Sequence, residues 1–80
     1  MLSDRARKRY CRRVAELLRE ERSRGGLSMT DVAAKAGLSQ QMVSYVERGL
    51  RTPSLDTLVR MADAVGCDLP DILTRARSEN

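Results

Sequence analysis

The segment from Ser28 to Gly49, SMTDVAAKAGLSQQMVSYVERG, constrains the fold more than any other part of the chain. Ser28 and Ser39 each precede an apolar stripe, and a serine hydroxyl there accepts hydrogen bonds from the free N–H groups at a helix N-terminus. Gly37 and Gly49 each follow such a stripe, and glycine tolerates the positive φ at which a helix turns sharply. The segment therefore predicts two short helices joined by a tight bend.

The two predicted helices each have an apolar side and a polar side. Asp31 stands three residues after Ser28, where a capping box has an acidic residue, and Leu38 fills the corner between the helices. The apolar positions recur at helical spacing, and they are Val32, Ala33 and Ala36, then Val43 and Val46. The other side of the second helix carries long or polar side chains, namely Gln40, Gln41, Ser44, Tyr45 and Arg48. This pattern is typical of a helix-turn-helix whose second helix enters the major groove. The alternative is an αα-hairpin that only packs a core.

The wider pattern extends over most of the chain, roughly from Val14 to Leu73. It is carried by GLSMTDVAAKAGLSQQMVSYVERG at 26–49 and RTPSLDTLVRMADAVGCDLPDIL at 51–73. In glycine, apolar, capping and "ER-G" positions, these segments resemble the lambda-repressor-like (Cro, XRE) family of bacterial and phage DNA-binding domains. The resemblance implies an all-α, compact five-helix domain with the helix-turn-helix at helices 2 and 3.

The remaining helices are predicted from periodicity and caps. A first helix over about 5–23 begins at Ser3 or Asp4, and one face of it carries Tyr10, Val14, Leu17, Leu18 and Glu21. A fourth helix begins after Ser54 and ends at Gly66, with a predicted core stripe of Leu55, Leu58, Val59, Ala62 and Val65. A fifth begins after Asp68 and runs from Leu69 to about Arg77.

The domain prediction has three parts. Residues 1–9 form a basic arm or an extension of the first helix, residues 10–77 form the DNA-binding domain, and residues 78–80 form a disordered tail. The resemblance also implies that Arg19 pairs with Glu47 of the recognition helix. The connection SRGG at 23–26 is about three residues longer than is usual in the family, which either lengthens the first helix or makes a flexible loop.

Composition argues against several classes of function. The chain has 15 basic and 11 acidic residues, a net charge of +4 and no histidine. Without histidine, paired carboxylates or a glycine-rich loop after a strand, we expect no enzyme, no metal site and no cofactor. Cys11 and Cys67 lie far apart, so reduced thiols are expected. The lack of a long apolar run and of a signal peptide predicts a cytoplasmic protein with no membrane partner.

The DNA interpretation assigns roles to nine residues. Gln40 and Gln41 occupy the first turn of the recognition helix, and glutamine can bind adenine through two hydrogen bonds. The resemblance places base or phosphate contacts at Ser44 and Tyr45 and phosphate contacts at Arg48 and Arg51. At the position of Met29, the family often has a glutamine that bridges a DNA phosphate and the recognition helix. Methionine cannot form comparable hydrogen bonds, so we expect this bridge to be missing here. The predicted DNA-facing set is completed by Met29, Thr30 and Ser39.

One helix-turn-helix reads about half a site, so a homodimer on a pseudo-palindromic operator is expected. Its predicted interface is Leu69, Ile72 and Leu73, although these residues equally suit a core-covering role. Six basic residues lie within 5–13, and on a helix four of them, Arg5, Arg9, Arg12 and Arg13, form one cationic ridge. This ridge, or an unravelled arm, either follows DNA phosphates or a minor groove, or only keeps the protein soluble. The alternative function is an antitoxin-type or other protein-interaction module that binds a toxin or another protein partner. Phage repressors, restriction–modification controllers and antitoxins all remain open.

Overall fold

The computed structural model describes residues 1–79, which form helices and loops without a strand. The helices are α1 (Asp4–Arg24), α2 (Met29–Ala36), α3 (Gln40–Glu47), α4 (Leu55–Val65) and α5 (Leu69–Ser78). The all-α, five-helix fold predicted from the sequence is confirmed. None of the helices in this part of the chain is both long and apolar enough to cross a membrane.

The helix-turn-helix begins and turns where the caps predict. Ser28 Oγ accepts a hydrogen bond from Asp31 N at 3.0 Å, and Asp31 Oδ2 accepts one from Ser28 N at 2.9 Å, which completes a capping box. Ser39 Oγ accepts from Met42 N at 3.0 Å at the start of α3. Gly37 ends α2 with φ 69°, and Gly49 follows α3 with φ 71°. Both predicted glycine bends are therefore confirmed.

Two apolar clusters meet at α4. The first lies beneath the helix-turn-helix and consists of Val32, Ala33, Ala36, Val43, Val46, Met61 and Ala64. The second joins α1 to α4 and α5 and consists of Val14, Leu17, Leu18, Ala62, Ile72 and Ala76. Because α4 contributes to both clusters, the helix-turn-helix is held on a scaffold made of α1, α4 and α5.

The predicted core stripe of α4 is wrong at two positions. Leu55 is 70% exposed and Val59 is 50% exposed, whereas Met61 is 1% exposed. The helix packs against α2 on one side and against α1 and α5 on the other. Its buried face therefore centres on Met61 and Ala62, and the stripe through Leu55 and Val59 faces outward.

The structure agrees with one of the two alternatives predicted for the N-terminal end and differs from the prediction for the C-terminal end. Residues 4–9 belong to α1, so the basic stretch is a helix extension and not an arm. Ser78 is the last residue of α5, and Glu79 caps that helix and forms an ion pair with Arg13. The prediction of a disordered tail is therefore wrong for Ser78 and Glu79, while Asn80 lies outside the described residues.

Candidate nucleic-acid interface

Helix α3 is fixed from its inner side by the first cluster. Val43 is fully buried and Val46 is 1% exposed, and both pack with Val32 of α2. Ala33, small and buried, lies in the same cluster. This packing leaves the opposite side of α3 to face outward.

A buried ion pair fixes the C-terminal end of α3. Arg22 Nε donates to Glu47 Oε2 at 2.7 Å and Arg22 Nη2 donates to Glu47 Oε1 at 2.9 Å, in a two-pronged arrangement. The side chains are only 12% and 1% exposed, respectively. The hydrogen bond to Glu47 raises the pKa of Arg22, against the opposing effect of burial. Arg22 Nη1 also donates to the Leu27 carbonyl at 3.0 Å. One guanidinium on α1 therefore contacts both the loop that precedes α2 and the helix α3.

The expected pairing of Arg19 with Glu47 is wrong. Arg19 is exposed, and Arg22, three residues later, occupies the place expected for it. The same shift explains the apparent excess of three residues in the 23–26 connection, because α1 simply continues to Arg24. A sequence signal did exist: Val14, Leu18 and Arg22 recur every four residues, which places Arg22 on the buried stripe of α1.

The outward side of α3 carries two glutamines, each hydrogen-bonded to a different neighbour. Gln40 and Gln41 are both exposed in the first turn. The Thr30 hydroxyl donates to Gln40 Oε1 at 3.1 Å, and Gln41 Nε2 donates to the Tyr45 hydroxyl at 2.6 Å. The Arg51 guanidinium lies over the Tyr45 ring, 5.7 Å from its centroid. Each glutamine is therefore held by a neighbour one helix or one turn away.

The other predicted DNA-facing residues divide into two groups. Met29 is half-buried and packs against the first cluster, whereas its neighbour Thr30 reaches across to Gln40. On α2 it is therefore Thr30, and not Met29, whose side chain hydrogen-bonds to the recognition helix. Ser39 uses its hydroxyl to cap α3. Ser44 is half-buried, and Arg48 is exposed at the C-cap of α3.

The residues predicted to form a dimer interface lie in or over the core. Ile72 is fully buried within its own protomer, so its assignment to a dimer interface is wrong. Leu69 and Leu73 are half-buried and pack against the second cluster. The Tyr10 hydroxyl donates to the Leu73 carbonyl at 3.1 Å, which further ties this part of α5 to α1.

Comparison with known proteins identifies the family of this fold. A helix-turn-helix family model, HTH_3, matches residues 18–72, from the second half of α1 to the first turn of α5. The chain belongs to the Cro/XRE-type helix-turn-helix family. It accordingly carries a helix-turn-helix DNA-binding domain of the kind found in HTH-type transcriptional regulators.

Individual relatives agree with this assignment. The HTH-type transcriptional regulator y4dJ of Sinorhizobium fredii, itself uncharacterized, is 40% identical over 60 residues, which cover 75% of this chain and 73% of that protein. DdrOP3 of Deinococcus deserti, an HTH-type transcriptional regulator, is 39% identical over 61 residues, or 76% of this chain. The control protein C.SmaI of Serratia marcescens is 34% identical over 67 residues, which cover 84% of this chain and 80% of that protein.

The relatives differ in length. The match spans only 47% of DdrOP3, so this chain corresponds to about half of that regulator.

Proposed function

We propose that this helix-turn-helix protein binds double-stranded DNA sequence-specifically, as a homodimer on a pseudo-palindromic operator, with α3 in the major groove. The observation that carries the proposal is the pair of exposed amides, Gln40 and Gln41, in the first turn of a helix whose opposite side is buried. The N-terminal residues of a recognition helix are the ones that contact base edges.

The arrangement of the two amides suits base recognition. A glutamine amide can donate to adenine N7 and accept from adenine N6 at once. Gln40 is held by Thr30, and Gln41 is held by Tyr45. Because each side chain already has a preferred conformation, contact with a base immobilises less rotamer freedom than a free glutamine would lose.

Phosphate contacts are assigned to the C-terminal end of α3 and the loop after it. Arg48 and Arg51 are exposed on either side of the Gly49 bend. Stacking on Tyr45 positions Arg51 beside the proposed reading surface. Ser44 and Tyr45, one turn after the glutamines, contact base or phosphate. The cationic side chains of Arg48 and Arg51 supply affinity that does not depend on the DNA sequence.

The basic stretch over residues 5–13 is assigned a secondary role along the phosphates. Helix α1 presents Arg5, Lys8 and Arg12 to solvent. Arg13, in contrast, is engaged by three carboxylates, those of Glu16, Glu20 and Glu79. The cationic surface of this stretch is therefore smaller than the sequence alone suggests.

A binding experiment tests the proposal directly. Duplexes selected from a random pool are titrated by fluorescence anisotropy at several salt concentrations, with Arg51→Ala beside the wild type. Each phosphate contact removed makes the slope of log K against log salt less steep by about 0.9. We expect Arg51→Ala to lose affinity equally for selected and random duplexes.

Arg77→Ala serves as the matched control, because Arg77 is an exposed arginine near the end of α5. Helix α5 packs on α1 and α4, away from the reading surface. This variant is expected to bind like the wild type. Failure of the wild type to bind any duplex at low salt would overturn the proposed function.

A further inference from the structure

The corner where α3 leads into α4 carries an unusual amount of exposed apolar surface. Within residues 1–79, the large apolar side chains that remain exposed are Met1, Leu50, Leu55 and Val59. The last three, here termed the α4 patch, follow the recognition helix directly. Leu55 and Val59 are four residues apart on α4 and therefore lie on one face of it. Since α4 already buries its other side in both clusters, this second apolar face is not needed for the protomer's core.

We propose that the α4 patch binds the α4 patch of a second copy of this chain around a two-fold axis. The inference rests on the proposed function, of which it names the dimer surface. A two-fold interface joins the same patch on both copies, so that patch must be complementary to itself. Asp56 and Arg60 meet this requirement, because they are an anion and a cation on the same helix, with side chains 75% and 49% exposed.

Charge complementarity specifies the pairing. Within one protomer Arg60 Nε donates to Asp56 Oδ2 at 2.8 Å, one turn apart along α4. When two antiparallel copies of α4 pack through Leu55 and Val59, Asp56 of one protomer lies opposite Arg60 of its partner, and the reverse pair forms as well. The apolar centre excludes water while the two charge pairs set the register.

The position of the α4 patch also fits DNA binding. Its first residue, Leu50, lies between Arg48 and Arg51, the proposed phosphate contacts. The proposal requires that a second copy seated there place the two α3 helices on the same side of the dimer, so that they meet two half-sites of one operator. On α5, by comparison, Ile72 is fully buried, and Leu69 and Leu73 are half-covered by their own core.

The size of the α4 patch determines the strength of the association. A stable interface buries about 800 Å² on each partner. Three apolar side chains and two flanking charges supply only part of that area, so the dimer is weak in free solution. Two adjacent half-sites on one duplex then complete it, because bound copies have a high effective concentration relative to each other.

Sedimentation equilibrium of the full chain without DNA tests the surface. The wild type is expected to associate reversibly at concentrations up to about 1 mM, and Leu55→Ser with Val59→Ser to weaken association by about tenfold or more. Thr74→Glu, on the exposed side of α5, is the matched control and is expected to associate like the wild type. Circular dichroism confirms that all three proteins are folded. Unchanged association in the double variant, or weakened association in Thr74→Glu, would overturn the proposal.

A charge-reversal mixture gives a second, independent readout. Asp56→Arg alone and Arg60→Glu alone each place like charges across the interface, so each is expected to remain monomeric. Mixed together, every cross-pair becomes attractive, and a heterodimer is expected in native mass spectrometry. Within either single variant the pair along α4 stays broken, so recovery in the mixture reports contact between chains. Lack of recovery would refute the two-fold pairing.

DNA titrations separate this inference from the proposed function. On a duplex with two half-sites, the wild type is expected to bind cooperatively, and the Leu55→Ser, Val59→Ser variant to bind each half-site independently. On a duplex with one half-site, the two proteins are expected to bind alike. A chain that dimerises through the α4 patch but binds no duplex would overturn the proposed function alone. Cooperative binding that persists unchanged in the double variant would overturn the dimer surface alone, whereas independent half-site binding by the wild type would also overturn the homodimer of the proposed function.

Discussion

Helix α3 has two faces with different physical character. Its inner face buries Val43, Val46 and Glu47, and the Glu47 carboxylate is held by both prongs of the Arg22 guanidinium. Its outer face is exposed, and so are the hydrogen bonds of Gln40 and Gln41. The inner contacts extend beyond the helix-turn-helix to α1 and α4, whereas the hydrogen bonds of the two glutamines stay within it.

The inner face fixes the position of α3 in the domain, and the outer face carries the proposed contacts with DNA. A buried ion pair is costly to break, because its surviving partner stays desolvated and unpaired. An exposed hydrogen bond is easily replaced by water and contributes little to folding. Substitutions on the inner face should therefore change the stability of the domain, and those on the outer face should change which DNA it binds.

Removal of Arg22 tests the inner face most severely. Arg22→Ala leaves Glu47, whose side chain is 1% exposed, without its cation and frees the Leu27 carbonyl. We expect the free energy of unfolding to fall by about 3–5 kcal/mol. Urea denaturation followed by circular dichroism measures it. Arg22→Lys, which keeps the charge but not the two-pronged geometry, should lose less.

Arg19→Ala is the control for this experiment, because Arg19 is one turn earlier on α1 and exposed. Its unfolding free energy should stay within about 0.5 kcal/mol of the wild type. If Arg19→Ala were as destabilising as Arg22→Ala, the assignment of the inner-face cation would be wrong.

The inner face also shows how far the sequence could be interpreted. Serine caps, glycine bends and the Val43 and Val46 stripe are local signals, and they predicted the helix-turn-helix correctly. The partner of Glu47 lies on another helix, so it depends on how α1 packs. Arg19 and Arg22 are less than one helical turn apart on α1. Only the burial of Val14 and Leu18 in the core, which places Arg22 on the same face, distinguishes them.

Helix α4 shows the opposite difficulty. It has apolar residues on two faces, and periodicity alone cannot say which face is buried. The structure exposes Leu55 and Val59, which the prediction placed in the core, and it buries Met61, which the prediction omitted, beside the correctly predicted Ala62. A similar difficulty applies to Ile72, because an apolar residue on a terminal helix suits a core or an interface equally well. In both cases the answer depends on contacts between helices.

The outer face is tested by the double substitution Gln40→Ala with Gln41→Ala. Each amide should contribute about 1–3 kcal/mol of discrimination at its base pair. Binding to the selected operator should weaken accordingly, while binding to random duplex and the unfolding free energy should stay nearly unchanged. Competition titrations with single-base operator variants measure this. If the double variant kept the full operator preference, the two glutamines would not read the bases, and recognition would depend on Tyr45, Arg48 or DNA shape.

A smaller effect is expected at Thr30, which reaches the outer face from α2. Thr30→Val keeps the shape but removes the hydroxyl that donates to Gln40 Oε1. We expect operator affinity to fall by up to about 1 kcal/mol, because the amide must then be ordered on binding. Thr30→Ser retains a hydroxyl and should bind nearly as the wild type does. Equal affinity of the valine and serine variants would show that Gln40 needs no positioning.

The smallest effect concerns the pH dependence of the capping box that starts α2, the helix on which α3 packs. Hydrogen bonds from Ser28, first from its backbone N–H, hold the pKa of Asp31 below its usual range. A carboxyl group with a lowered folded pKa stabilises the protein fully above its unfolded pKa of about 3.9, and that contribution is lost as the pH falls through the folded value.

Asp31→Asn has no charge to lose, so its unfolding midpoint in urea should fall less steeply than that of the wild type between about pH 5 and about pH 2. The remaining carboxylates, including Glu79, whose pKa is lowered by Arg13, titrate in both proteins and cancel in the comparison. Parallel pH profiles for the two proteins would mean that the capping box stabilises α2 without its charge.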